Sequence, residues 1–354
     1  PMSLIEDFLR SMQMRKGSDL HVVSGDPPRM RVHGDLITLD NQKLDVEELR
    51  AELLGIMTEQ SRHQLEQHDS ADFAYSIPDV ARFRVNVFRH LNGIGAVFRG
   101  IPSKALTLEE LKMPKALHEL STATRGLILV TGKTGSGKST TLAGVIDAIN
   151  SRLKGHILTI EDPVEFVHQR KLCLMSQREV GVHSPSFADA LHSALREDPD
   201  AILVGELRDL ETMSIAMTAA EMGVLVMGTL HTNGAAATID RVVNIFPSDK
   251  QDHVRNMLST SLRGVVSQQL VKKKDGTGRA AALEILINTS ACANLIRQGK
   301  LEQLENVMQS SGREGMCTMD GSLKRLYDEG TISGEEAYLN AFDKSKFEQL
   351  KDIS

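Results

Sequence analysis

The residues with the clearest chemical potential form a glycine-rich run that follows a short apolar strand. The run matches the pattern G-x-x-x-x-G-K-[ST] and comprises Gly132, Lys133, Thr134, Gly135, Ser136, Gly137, Lys138 and Ser139. Its glycines let backbone N–H groups face phosphate oxygens, and its lysine supplies a charge for the terminal phosphates. The final serine offers a hydroxyl to Mg²⁺. The run therefore predicts a site for ATP and Mg²⁺, in which Thr140 binds a more internal phosphate.

Polar side chains also follow three later apolar strands, as Glu161, Glu206 and His231. The carboxyl ends of parallel strands meet at one edge of a sheet, so these groups are expected to converge on the γ-phosphate. Glu206 is the first choice to orient the attacking water and accept its proton. Glu161 either polarises that water or holds Mg²⁺ through its hydration shell. His231 is expected to sense the γ-phosphate.

The elements that position these residues begin near residue 126. Short strands without polar alternation are predicted at 126–130, 157–160, 201–204 and 224–227. Such strands are buried on both faces, which is typical of a parallel sheet covered by helices. A helix is predicted over 140–150, and the chain after about 290 is predicted to be mostly helical. Residues 121–354 are therefore expected to form an α/β domain.

Residues 1–100 have a different pattern. Apolar periodicity predicts helices over 3–16 and 45–66. Alternation predicts strands at 20–23, 29–35, 81–89 and 95–99, the second of them ending in a turn. This mixture predicts a small α+β domain. Residues 101–120, which begin with Ile101-Pro102-Ser103, are predicted to be a linker.

Composition narrows the class of protein. The chain has 354 residues, of which 41% are hydrophobic and 25% charged, as in an ordinary globular protein of two domains. Its net charge is −6, and its one tight basic run, Lys272-Lys273-Lys274, is interpreted as a solvated turn, which argues against a direct nucleic-acid partner. It has 3 cysteines and no C-x-x-C pair, so no zinc site is expected. Without a signal peptide or a long apolar run, the chain is expected to be cytoplasmic.

Taken together, the motifs resemble those of the bacterial secretion and type IV pilus ATPases, and within them the pilus retraction ATPases. The resemblance covers essentially the whole chain. It rests on Gly17–His21, Arg82–Asn86, Ala96–Arg99, the glycine-rich run, Glu161–Glu165, the strand ending in Glu206, Thr229–Thr232 with Thr238–Arg241, and Asn294–Arg297. Extension ATPases of the superfamily carry a four-cysteine zinc subdomain and an extra N-terminal domain, so the absence of a C-x-x-C pair favours the retraction branch.

The resemblance implies a homohexameric ring of subunits with a PAS-like N-terminal domain and a RecA-like ATPase domain. ATP would lie between the two domains, and Arg84 and Arg99 match the N-terminal-domain arginines that close onto the phosphates. Arg208 and Arg241 are candidate interface or sensor arginines. The implied function is ATP-driven pilus retraction in twitching motility. The implied location is the cytoplasmic side of the inner membrane at the pilus base, against a PilC-like platform protein.

Two departures from the retraction pattern keep alternatives open. Ala291-Cys292-Ala293 stands where the family has an arginine before the Asn294 segment, and Gln298-Gly299 follows Arg297 where the family has an acidic residue. The chain could therefore be an accessory retraction ATPase that depends on a second retraction ATPase. A secretion-type translocation ATPase is the third reading.

Overall fold

The computed structural model describes residues 3–102 and 104–351, which divide into two compact units. The first unit comprises the chain up to Lys104 together with Glu165–Val167, and the second comprises Ala105–Val164 and the chain from His168 onward. The predicted domain limits at residues 100 and 121 stay predictions. Ser103 of the predicted linker and both chain ends lie outside the described residues.

The first unit combines three helices with one sheet. Its helices are α1 (Leu4–Met14), α2 (Val46–Ile56) and α3 (Glu59–His68). Its strands are β1 (Asp19–Val23), β2 (Arg29–Val32), β3 (Asp35–Thr38), β4 (Ser70–Ile77), β5 (Ala81–His90) and β6 (Gly93–Ile101). The sheet has the antiparallel order β3-β2-β1-β6-β5-β4. The α+β prediction for this region is confirmed.

The prediction of a single helix over 45–66 is wrong, because the helix is interrupted at Met57 and Thr58. Thr58 has an extended backbone, with φ −73° and ψ 161°, and its side chain accepts the N–H of Ser61 to start α3. Apolar periodicity runs through this break, whereas the N-cap chemistry of threonine interrupts the helix. The strand predicted over 29–35 also ends early, at Val32.

The second unit begins with a helix inside the predicted linker and continues as alternating strands and helices. Its strands are β7 (Gly126–Thr131), β8 (His156–Glu161), β9 (Leu174–Glu179), β10 (Ala201–Val204), β11 (Leu225–Leu230), β12 (Leu262–Lys272) and β13 (Arg279–Ile287). Its helices are α4 (Lys115–Leu120), α5 (Lys138–Arg152), α6 (Phe187–Ala194), α7 (Leu210–Glu221), α8 (Ala235–Ile245), α9 (Gln251–Ser261), α10 (Ser290–Gln298), α11 (Leu304–Ser310), α12 (Met319–Asp328) and α13 (Gly334–Asn340).

The strands of this unit form one sheet with the order β13-β12-β7-β11-β10-β8-β9, parallel except for the antiparallel β12–β13 pair. Successive residues of the central strands point into two different cores. In β7, Leu127 and Leu129 pack in one core, and Ile128 and Val130 pack in the other. The prediction of a parallel sheet covered on both faces is confirmed, since alternation cannot appear in a strand that is apolar on both sides.

The chain after Ile287 is mostly helical, as predicted, and α12 and α13 pack with Val271 and Ala282 of the β12–β13 pair in a separate small core. None of the helices in the described part of the chain has the length and apolar character needed to cross a lipid bilayer.

Candidate active site

The glycine-rich run forms the loop between β7 and α5, and its shape depends on glycine. Gly132, Gly135 and Gly137 have φ of 149°, 81° and 87°, a region that other residues avoid. A Cβ on Gly132 would lie 2.5 Å from the main-chain oxygen of Gln268 and 2.5 Å from Ser136 Oγ. No described atom lies within 4 Å of a Cβ placed on Gly135. The loop is therefore closely packed at its base and open at its tip.

The groups around the start of α5 fit a phosphate chain. The residue before the helix is Gly137, which has no side chain to cap the first turn, so the N–H groups there are available to an anion. Ser136 Oγ is buried and has no hydrogen-bond partner among the described residues. Lys133 and Thr134 are exposed at the tip, Ser139 is exposed in the first helical turn, and Thr140 is half-buried beside it.

Gln268 of β12 supports this loop from below, which the sequence did not predict. Its Oε1 accepts a 2.6 Å hydrogen bond from Thr141 Oγ1 in α5. Its Nε2 would lie 2.7 Å from a Cβ on Gly137, while its main-chain oxygen faces Gly132. One buried residue thus contacts both ends of the loop and the helix that follows. The available signal was a polar run, Ser267-Gln268-Gln269, between the apolar pairs Val265-Val266 and Leu270-Val271 of the strand.

Lys138 connects the loop to His231. Its Nζ lies 2.7 Å from the main-chain oxygen of Gly132 and 2.9 Å from His231 Nδ1. An ammonium group only donates hydrogen bonds, so Nδ1 accepts and the ring proton is assigned to Nε2. Nε2 in turn lies 3.0 Å from Oε1 of Glu206. The imidazole therefore joins Lys138 to the Glu206 carboxylate.

Glu206 follows β10 and also accepts a short hydrogen bond from Arg208 on its other oxygen. This bond is the main reason that the pKa of Glu206 is lowered; partial burial acts in the opposite direction, and His231 adds to the lowering. Glu206 is consequently held as a carboxylate. Arg208, which was a candidate interface or sensor arginine, has a side chain that is 74% exposed. Arg241, the other candidate, is exposed on α8.

Glu161 ends β8, whose residue Ile160 pairs with Val204 of β10. Its Oε2 accepts hydrogen bonds from Thr159 Oγ1 at 2.8 Å and from Gln177 Nε2 at 3.4 Å. Since β8 and β10 are parallel and in register, Glu161 and Glu206 lie at the same edge of the sheet. The structure therefore brings together the loop, Glu206 and His231, and places Glu161 at the same sheet edge.

Arg84 and Arg99 belong to the first unit, where they are directly opposite each other on β5 and β6. Both are exposed, and Arg99 Nε lies 2.9 Å from Asp19 Oδ1. Burial acts to raise the pKa of Asp19, but hydrogen bonds from Ser18 and Arg99 outweigh it and the pKa is lowered. Two like charges directly opposite each other on a sheet repel, so this pair is suited to an anion that both can contact.

A parallel α/β sheet with a glycine-rich phosphate loop and carboxylates at the same edge defines a P-loop nucleotide site of the kind found in secretion ATPases. The family model described as type II/IV secretion system protein matches residues 2–340, and the chain belongs to that family.

Individual relatives indicate which branch of this family the chain is similar to. The chain is 51% identical to the type IV pilus retraction ATPase PilT of Pseudomonas aeruginosa, over 97% of this chain and 98% of the relative. It is 42% identical to the type IV pilus ATPase PilU of the same organism, over 95% of this chain and 88% of the relative. A crystal structure of the pilus retraction motor PilT with bound ADP superimposes with a TM-score of 0.89 at 43% identity, covering 99% of this chain and 100% of the other. The resemblance to the retraction branch is confirmed.

Proposed function

We propose that this chain hydrolyses ATP in a homohexameric ring and powers retraction of type IV pili, acting on a PilC-like platform protein at the cytoplasmic side of the inner membrane. The observation that carries the proposal is the joined set Lys138, His231 and Glu206 beside the glycine-rich loop, in a chain 51% identical to a retraction ATPase over 97% of its length. Phosphate binding and a water-orienting carboxylate are the two requirements of ATP hydrolysis, and this set supplies both.

The loop and α5 bind the phosphates in this proposal. Backbone N–H groups of the loop and of the first turn of α5 face the phosphate oxygens, Lys138 contacts the β- and γ-phosphates, and Thr140 contacts a more internal one. The buried Ser136 Oγ, which has no partner among the described residues, is available to the same anion. Ser139 would hold Mg²⁺, whose contribution is to neutralise charge on the β- and γ-phosphates.

Glu206 orients the attacking water. Its lowered pKa keeps it ionised near neutral pH but makes it a weak base, so its main contribution is orientation through hydrogen bonding. His231, which already donates to Glu206 and accepts from Lys138, responds to the γ-phosphate. Glu161 orders the hydration shell of Mg²⁺ or polarises the water. Arg84 and Arg99 stabilise charge on the transferring phosphoryl group, since guanidinium groups near a phosphoryl group lower the barrier.

The central experiment compares Glu206→Gln with the unsubstituted hexamer and with Glu221→Gln, an exposed control at the end of α7. Glu206→Gln should bind ATP within about three-fold of the parent, while kcat falls by about 100-fold or more, because the uncharged amide oxygen is a weaker acceptor for the water and cannot take up its proton. Glu221→Gln should leave both values unchanged. Steady-state hydrolysis of Glu206→Gln within ten-fold of the parent would remove Glu206 from this role.

An accessory retraction ATPase is the second candidate, favoured by the departures around the Asn294 segment. In the structure Cys292 is fully buried in α10, and Gly299 ends that helix with φ 72°. Twitching of a deletion strain complemented by this chain alone tests the two candidates. Restored twitching supports the main motor; twitching that returns only with a second retraction ATPase supports the accessory function.

A further inference from the structure

The segment from His231 to Gly234 joins β11 to α8, and it is held by side chains of β12 and β13, which belong to the same sheet but do not pair with β11. The N–H of Gly234 donates to Ser267 Oγ at 2.9 Å, and the N–H of Ala235 donates to Glu284 Oε2 at 2.7 Å. Ser267 and Glu284 are directly paired across β12 and β13. The backbone N–H groups of two consecutive residues are therefore held by two side chains that are neighbours on the paired strands.

These contacts replace the usual cap of α8. Its N-cap is Gly234, with φ 97° and no side chain, so the first-turn N–H groups need acceptors from elsewhere. A Cβ on Gly234 would lie 2.9 Å from Glu284 Oε2, so the close approach of the carboxylate requires glycine. Ser267 and Glu284 are 1% and 6% exposed, which makes these bonds inaccessible to competing water.

Glu284 also caps a second helix. Its other oxygen, Oε1, accepts the N–H of Met319, the first residue of α12, at 3.1 Å. Burial raises the pKa of Glu284, although the two backbone donors act in the opposite direction. One carboxylate therefore joins the start of α8 to the start of α12.

We infer that Glu284 is a positioning residue for His231. The inference rests on the proposed function. Leu230 is the last residue of β11, so only residues 231–233 separate the sheet from the held Gly234. When both ends of so short a segment are fixed, the imidazole is fixed within reach of Lys138 and Glu206. A shift of about 1 Å at such a group is enough to lower a reaction rate strongly.

Glu284→Gln in the full-length hexamer tests this. The amide nitrogen cannot accept a hydrogen bond, so one of the two backbone donors loses its partner. We expect kcat to fall about ten-fold while KM for MgATP stays within about three-fold, because the phosphate loop is not touched. In a His231→Ala background the same change should lower hydrolysis by less than about two-fold, since Glu284 acts through His231. Single-turnover assays with labelled ATP keep slow hydrolysis measurable.

Asp320→Asn is the matched control. Asp320 is 7% exposed and also accepts two backbone N–H groups, from Phe342 at 2.8 Å and Asp343 at 3.1 Å, but neither lies in the 231–235 segment. It should lower Tm about as much as Glu284→Gln and leave kcat per folded hexamer within about two-fold. If Glu284→Gln does not fold, Ser267→Ala, which removes a single hydrogen bond, takes its place in the same comparison with and without His231→Ala.

Equal losses of kcat from Glu284→Gln with and without His231 would overturn the inference, as would a loss of kcat in Asp320→Asn of the same size. Unchanged kcat in both Glu284→Gln and Ser267→Ala would also overturn it. Failure of the unsubstituted hexamer to hydrolyse ATP would instead refute the proposed function.

Discussion

The two loops that carry the site are shaped in opposite ways. The phosphate loop between β7 and α5 takes its form from its own glycines, because other residues rarely adopt the φ values of Gly132, Gly135 and Gly137. The segment from His231 to Gly234 is instead held by Ser267 and Glu284, which lie 33 and 49 residues away from their partners in the chain. The first loop is specified mainly by its own glycines, with support from Gln268, and the second by distant residues.

This difference determines how a substitution affects each loop. At Gly132 of the phosphate loop an added methyl group must overlap backbone, which cannot move cheaply in a packed core. In the 231–234 segment the loss of an acceptor leaves a buried N–H unpaired, at a cost of about 1–3 kcal/mol. Substitutions in the two loops should therefore differ both in size and in the kinetic constant that changes.

The largest effect is expected for Gly132→Ala. Its Cβ would lie 2.5 Å from the main-chain oxygen of Gln268, so the loop must move away from β12. ATP binding, measured with a fluorescent analogue, should weaken about 100-fold or more, with Gly135→Ala as the control. Gly135 has φ 81° but no described neighbour within 4 Å of a Cβ, so its variant carries strain of about 1–2 kcal/mol without overlap. Equal losses in both variants would mean that backbone strain alone shapes the loop.

An intermediate effect is expected for Gln268→Leu, which tests whether the phosphate loop is purely local. Thr141 Oγ1 would lose its buried partner, and the support below Gly137 would change. KM for ATP should rise about ten-fold, with a smaller change in kcat. Gln269→Leu is the matched control, because this neighbour bonds to Asn340 in the C-terminal segment instead. If the two variants give the same KM, the loop does not depend on β12.

The smallest effect is expected for Arg208→Gln. Arg208 is the main cause of the lowered pKa of Glu206, so its removal should raise that pKa. Glu206 would then become protonated at a higher pH, and the acid limb of kcat/KM against pH should move upward. Near neutral pH the rate should change less than about five-fold, because exposed ion pairs are weak. The difference should shrink at high salt. An unmoved acid limb would show that another group controls it.

The same contrast explains what could be predicted from the sequence. The positions of the phosphate loop, Glu161, Glu206 and His231 at one edge of the sheet were predictable, because each follows an apolar strand and parallel strands bring their carboxyl ends together. The roles of Gln268, Ser267 and Glu284 were not predictable, since they depend on the pairing of β12 with β7 and β13. Apolar periodicity likewise could not reveal the break at Thr58. Registers between distant strands leave no mark within a window of a few residues.

The contact between Lys138 and His231 bears on product release. Lys138 already has two acceptors, the oxygen of Gly132 and Nδ1 of His231. A phosphate oxygen that takes the place of the imidazole at Lys138 exchanges one hydrogen bond for another, and only their difference contributes to affinity. The same exchange runs in reverse when ADP and phosphate leave, because Nδ1 of His231 again accepts a hydrogen bond from Lys138. A site built in this way binds nucleotide less tightly than its charge suggests, and it turns over faster wherever departure of product limits the cycle.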